Sequence, residues 1–148
     1  MDLVLADPFD LARFAQAQDP VFASVESELR AGRKRSHWMW FVFPQLRGLG
    51  RSETAQYFGI TSLDEAKAYL AHPVLGRRLT ECTNLVLAIE NASLAQIFGT
   101  PDDLKFCSSM TLFSLAGGAA DTIFQQALQK YCGGKRDEQT VEKVRSGR

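Results

Sequence analysis

Along most of this chain apolar residues recur three and four positions apart, the period that gathers them on one face of an α-helix. Phe9, Leu11, Phe14 and Ala15 form the first such face, and Val21, Phe22, Val25 and Leu29 the second. Each follows an Asp-Pro pair, Asp7-Pro8 and Asp19-Pro20. These read as helix starts: the carboxylate accepts from free backbone N–H groups, and proline's missing N–H costs nothing in a first turn. Gly32 closes the second helix. Further on, Pro73 opens a helix whose Leu75, Leu79, Cys82, Val86 and Ile89 share a face. Ile123, Phe124, Ala127, Leu128 and Tyr131 define another, closed by Gly133-Gly134. Ser52 is expected to cap a short helix and Ser93 a short turn ending at Gly99, and Ser62 with Glu65 makes a capping box that opens a helix to Ala71. From Leu104 to Ala116 the positions are apolar or small nearly all round, which marks a buried central helix near 101–116. It begins at Thr100-Pro101-Asp102-Asp103, whose acids suit the positive end of the helix dipole.

One stretch does not declare its period. Ser36-His37-Trp38-Met39-Trp40-Phe41-Val42-Phe43-Pro44-Gln45-Leu46 holds both tryptophans and one of the two histidines. Aromatic residues and Val favour sheets, yet no partner strand is evident elsewhere. A buried helix over 36–43, stopped by Pro44, is therefore expected. The fold class that results is all-α: a compact single-domain multi-helix bundle of about seven to nine helices. Residues 1–148 are read as one globular domain, with a frayed N-terminus at 1–6 and a polar C-terminal tail at 135–148.

Composition narrows the class without naming a function. At 148 residues, 45% hydrophobic and 23% charged, the chain suits one closed core rather than a disordered or membrane protein. The start lacks the basic and apolar regions of a signal peptide, and no apolar run approaches the roughly 20 residues that span a bilayer. Cys82, Cys107 and Cys132 are odd in number, widely spaced and set in helical patterns. They are expected as reduced, mostly buried thiols of a cytoplasmic protein. Seventeen basic residues balance 17 acidic ones, so no overall field favours nucleic acid.

Several segments read together carry a resemblance. They are Asp7-Pro8-Phe9-Asp10-Leu11, the block from Ala31 to Gln45, Ala71-His72-Pro73-Val74-Leu75-Gly76-Arg77-Arg78-Leu79, Phe98-Gly99-Thr100-Pro101-Asp102-Asp103-Leu104-Lys105 and Ser108-Ser109-Met110-Thr111-Leu112-Phe113. In order and spacing the chain resembles the bacterial domain-of-unknown-function family 1810, some members of which carry the label "calpastatin". The resemblance covers roughly residues 7 to 140 and implies a mainly helical single domain. It implies no activity, and the globular composition is unlike that of the disordered calpastatins. Cys107 stands where the resemblance leads one to expect a larger, often basic residue, and Cys132 where an aromatic is common.

Three constellations could carry chemistry. Arg30, Arg33, Lys34, Arg35, Arg47 and Arg51 bracket the aromatic block with no acid between them. Guanidinium groups beside indole suit a phosphate-bearing ligand whose ring stacks, whereas the plainer reading is a solvated surface answered by Asp102 and Asp103. On the expected helix, Ser36, His37 and Trp40 could line one wall of a cleft, with Gln45 as an amide reader. The alternative is a core histidine and two core tryptophans. In the central helix Lys105, Ser108 and Ser109 share a face. They either meet a ligand or do what such residues do elsewhere: Lys105 reaches solvent or Asp102, and the hydroxyls bond back to helix carbonyls.

No metal-ligand spacing, phosphate loop, dinucleotide fingerprint or nucleophile elbow is present, so neither metal nor cofactor is expected. The leading expectation is a pocket for a small anionic, nucleotide-like molecule. Arg33, Arg35, Trp40, Gln45, Arg51, Lys105 and Ser108 would bind it, and His37 and Ser109 would do any catalysis. The competing expectation is a non-enzymatic module that docks protein or RNA through the basic and aromatic 30–51 region, with Trp38 or Trp40 exposed.

Overall fold

The computed structural model describes residues 6–118 and 122–147, and among these every regular element is helical. In chain order they are α1 (Ala12–Gln18), α2 (Phe22–Arg30), α3 (Met39–Val42), α4 (Glu53–Tyr57), α5 (Leu63–Ala71), α6 (Leu75–Leu87), α7 (Leu94–Phe98), α8 (Asp102–Gly117), α9 (Ile123–Tyr131) and α10 (Glu138–Arg145). The expected frayed start lies outside the described residues except for Ala6, which is exposed.

α8 is the axis of the bundle. Its central residues, including Phe106, Met110, Leu112 and Phe113, are fully buried, and α5, α7, α9 and α10 all pack on it. That follows from a face that is apolar or small all round: such a helix is stable only when it is surrounded. α2 and α9 cover α6, whose Leu75, Leu79, Cys82 and Val86 point inward as their spacing requires. Of the expected tail, residues 135–147 are described, and they are not loose. Asp137 caps α10 through Thr140, Thr140 is buried, and the Asp137 N–H donates to Thr111 Oγ1 on α8 at 2.8 Å.

Several starts behave as read and others do not. Asp7 accepts from the N–H groups of Leu11 and Ala12, and Ser52, Ser62 and Ser93 each cap their helix. His72 Nδ1 accepts from the N–H groups of Val74 and Leu75 at the entry to α6. Asp19 does not cap α2; its carboxylate binds Arg78 at 2.8 Å instead. Nor does Glu65 complete the box at Ser62, because it turns inward to Arg13 and Thr61.

The 36–43 helix is the main correction to local structure. Only Met39–Val42 is helical, a single turn. The residues before it wrap around Glu28, whose carboxylate accepts from the N–H groups of Arg35 and Ser36, the Ser36 hydroxyl and the Trp38 indole N–H. Burial raises the Glu28 pKa, but these hydrogen bonds outweigh it and hold the group down at about 2. Trp38, only 1% exposed, joins Phe43, Phe98 and Phe106 in one aromatic cluster with centroids 5.1 to 6.5 Å apart.

The thiol expectation is corrected too: Cys107 on α8 and Cys132 after α9 form a disulfide. Cys82 alone is free, and burial pushes its thiol up to about 12. Cys107 and Cys132 face a surface groove, and wide sequence spacing does not prevent two helices from meeting there. They are also the two positions at which the chain departs from the pattern of the resemblance.

Candidate functional site

Three stretches of chain far apart in sequence enclose a groove of about 580 Å³. α8 supplies Leu104, Lys105, Cys107 and Ser108, the loop after α3 supplies Gln45, Leu49 and Gly50, and the α9–α10 turn supplies Cys132, Lys135, Arg136 and Asp137. The volume falls in the range of small-molecule sites, about 300–1,000 Å³.

Each wall is fixed by backbone chemistry. Pro44 ends α3, and the Gln45 carbonyl accepts from Ile60 N–H at 2.9 Å while Arg47 N–H donates to the Ile60 carbonyl at 2.8 Å. This isolated parallel bridge between Leu46 and Ile60 holds the Gln45 loop in place. On the far side Gly133 and Gly134 both adopt positive φ, +68° and +72°, which only glycine does cheaply. They turn the chain after α9 so that Lys135 and Arg136 reach the groove. The disulfide to α8 and the Asp137–Thr111 hydrogen bond anchor that turn at both ends.

Lys105 stands on the α8 wall with 22% of its side chain exposed. Its Nζ lies 3.3 Å from Asp102 and 4.7 Å from the centre of the half-buried Trp40 ring. Asp102 is shared with Lys34, 3.0 Å away, so this carboxylate neutralises neither lysine alone. Lys135 and Arg136 are exposed and make no ion pair among the described residues. The one carboxylate in the lining, Asp137, is occupied by the Thr140 N–H and hydroxyl. Leu104, 65% exposed, gives the groove an apolar lip.

Of the residues singled out from sequence, Gln45, Lys105 and Ser108 line this groove, and Trp40 backs Lys105. Ser108 donates to the Leu104 carbonyl, the back-bonding pattern of a helix hydroxyl. Arg51 lines a neighbouring depression with Lys143, Glu138 and Glu142, which shares Leu49 and Gln139 with the groove. Arg33, Arg35 and His37 are exposed and do not line it. Ser109 is sealed at 0% exposure, and its hydroxyl has no hydrogen-bond partner among the described residues. His37 and Ser109 are therefore not brought together, and neither Lys105 nor His37 activates the serine. The helix spacing that joined His37 to Trp40 fails because the helix begins only at Met39.

Lys135, Arg136 and the disulfide were missed. The signal for the cations was Gly133-Gly134 followed by two basic residues and an Asp cap, a turn that must project them from a helix end. The described residues contain no cluster of three or more His, Cys, Asp or Glu suited to a metal ion, and no helix among them is long and apolar enough to cross a membrane.

The family model described as "Protein of unknown function (DUF1810)" matches residues 8–144. The chain belongs to that family. Its fold is similar to the crystal structure of the conserved hypothetical protein Rv1873 from Mycobacterium tuberculosis, with a TM-score of 0.91 and 60% sequence identity. The likeness covers 94% of this chain and 99% of that one. A comparison with curated proteins finds no match.

Proposed function

We propose that this family member binds a small anionic molecule in the groove between α8, the Gln45 loop and the α9–α10 turn. The observation that carries this is an excess of cations. Lys105, Lys135 and Arg136 line about 580 Å³ whose one lining carboxylate is Asp137; Lys105 shares Asp102 with Lys34, and Lys135 and Arg136 make no ion pair among the described residues. Like charges held close repel one another, and an anion relieves that repulsion while gaining charge-assisted hydrogen bonds. Gln45 adds an amide that reads a polar group, and Leu104 offers an apolar surface for a ring or chain. The binding role is thus moved from the His37 side of the aromatic block to its Gln45 end, and no catalytic role is assigned to His37 or Ser109.

The ligand class is phosphorylated or carboxylated metabolites, consistent with the cytoplasmic location we propose. The docking of RNA or protein is the weaker reading because Trp38 is buried and the half-buried Trp40 ring already packs against the Lys105 ammonium.

A thermal-shift series with nucleotides, sugar phosphates and di- and tricarboxylates tests the assignment. A ligand at about a hundred times its Kd stabilises the native state by about 2.7 kcal/mol, a clear rise in Tm. The shift is expected to vanish in Lys105→Ala and in Lys135→Ala/Arg136→Ala, and to persist in His37→Ala. Loss in His37→Ala with retention in the groove variants would overturn the placement, and no shift with any anion would overturn the reading.

A further inference from the structure

The groove contains a reactive bond as well as charge. Cys107 and Cys132 both line it and both are only partly buried. The disulfide is therefore open to a small molecule in the cationic groove, unlike the sealed Cys82 thiol. We propose that the groove is a thiol–disulfide exchange site for small thiols that carry an anionic group. This rests on the anion reading above for recognition, and on the position of the disulfide for chemistry.

The thiolate of the small thiol attacks one sulfur of the Cys107–Cys132 bond, and the bonding pair leaves on the other cysteine as a thiolate. One mixed disulfide and one protein thiolate result. A second small thiolate attacks the mixed disulfide at the sulfur that the first small thiol contributed, which forms the symmetrical small disulfide and expels the second cysteine as thiolate. Two small thiols are oxidised, one cystine is reduced, and solvent protons complete the two cysteines. Run backwards, the same steps reoxidise the pair from the small disulfide.

Lys105, Lys135 and Arg136 have two tasks in this chemistry. They hold the carboxylate or phosphate of the incoming thiol, and they favour the thiolate that leaves, because nearby cations stabilise thiolate over thiol. Disulfides of cytosolic proteins are commonly transient and redox-active, and one in a cationic groove fits that use better than one sealed in a core. Exchange also acts on the site itself. The disulfide ties the start of the Gly133-Gly134 turn to α8; once it opens, the Asp137–Thr111 hydrogen bond still ties the turn to α8, and the Gly134 N–H to the Leu128 carbonyl still ties it to α9.

The test uses the full oxidised chain with 3-mercaptopropionate, which is anionic, and 2-mercaptoethanol, which is neutral. Reactions are stopped with acid, alkylated and read by intact mass and peptide mapping. Per mole of thiolate, the anionic thiol is expected to react about tenfold faster at low salt, and the advantage to collapse near 1 M salt, where the screening length falls to about 3 Å. The mixed disulfide should map to Cys107 or Cys132 and never to Cys82. Lys105→Ala/Lys135→Ala/Arg136→Ala should erase the preference, and Lys105→Arg/Lys135→Arg should keep it. Equal rates for the two thiols in the wild-type chain, or three alkylatable cysteines in the unfolded oxidised protein, would overturn the proposal. Equal rates together with retained nucleotide shifts overturn the exchange step alone; equal rates with no shift from any anion overturn the anion site as well.

Discussion

Arg13 should be the costliest single polar side chain to remove. Its side chain and that of its partner Glu65 are 5% and 1% exposed, so the pair sits out of water. All five guanidinium N–H donors are used. Nε donates to the Tyr57 carbonyl at 2.7 Å, Nη1 to those of Phe9 and Asp10 at 2.6 and 2.8 Å, and Nη2 to the Gly59 carbonyl at 3.0 Å and to Glu65 at 2.9 Å. One side chain thus ties the segment before α1 to the end of α4 and to α5. It also steadies Asp10, which sits at φ +54° and is not a glycine. Arg13→Ala leaves the Glu65 carboxylate with only the Thr61 N–H and hydroxyl. Breaking a buried pair from one side costs about 3–5 kcal/mol. A small cavity of about 230 Å³ beside the pair admits water to part of the gap, which sets the expected loss near the middle of that range, about 4 kcal/mol. Glu65→Gln keeps a neutral acceptor for Arg13 and should cost about 2 kcal/mol. In Arg13→Ala/Glu65→Leu no unpaired charge remains, so the double variant should fall short of the summed single losses by about 2 kcal/mol. Urea unfolding of the oxidised protein, followed by far-UV circular dichroism, reads these values when the m-value is unchanged. Arg13→Ala within about 1 kcal/mol of wild type, or strict additivity in the cycle, would refute the reasoning.

Two further outcomes follow from the packing and the charge. Glu28 has a folded-state pKa depressed from 4.5 to about 2, so its stabilisation is present above about pH 4.5 and is lost as pH falls toward 2. The shift corresponds to at most about 3 kcal/mol, and solvent screening of this half-buried group reduces that to about 1–2. Acid titration of tryptophan emission should show a shallower loss between about pH 5 and 2 in Glu28→Gln, and identical slopes would dismiss the carboxylate's role. At Gly76 a Cβ would collide with the Leu70 carbonyl oxygen and lie 2.9 Å from its carbon, where α5 turns into α6. Gly76→Ala should therefore cost about 3 kcal/mol, since backbone cannot yield as a side chain can. Gly117→Ala, whose Cβ among the described residues meets a Thr122 methyl at 3.4 Å and nothing nearer, is the control expected to unfold within about 0.5 kcal/mol of wild type.

The bundle was legible because its long helices state their own burial. Leu75, Leu79, Cys82 and Val86 keep one face inward, and the uninterrupted small and apolar run of α8 can only be central. Serine caps were legible for the same reason, since their partner lies three residues ahead. Asp102 does answer Lys34 across the chain, but most inferences that needed a partner from another segment failed. Glu65 looked like half a capping box but answers Arg13, 52 residues away. Asp19 looked like a cap but answers Arg78. The 36–43 stretch looked helical because nothing local shows that Glu28 collects four donors from residues 35, 36 and 38. Once those backbone N–H groups point at a carboxylate on α2, they no longer point along a helix axis.

The groove illustrates the same limit in a functional setting. Gln45, Lys105 and Ser108 were visible singly, as polar residues in costly places, but their common wall exists only after the Leu46–Ile60 bridge fixes one side. Lys135 and Arg136 looked like the opening of a solvated tail, since a basic pair after a glycine pair has no fixed direction until something anchors it. The disulfide and the Thr111 hydroxyl are that anchor, and both reach from α8. α8 therefore does more than fill the core: the same helix that buries Phe106 and Met110 supplies Lys105 to the groove, and through Cys107 and Thr111 it sets where the opposing cations stand. A ligand held by Lys135 and Arg136 would thus meet a wall fixed to α8 at two points, the Cys107–Cys132 bond and the Thr111 hydroxyl, and to α9 by the Gly134–Leu128 backbone hydrogen bond.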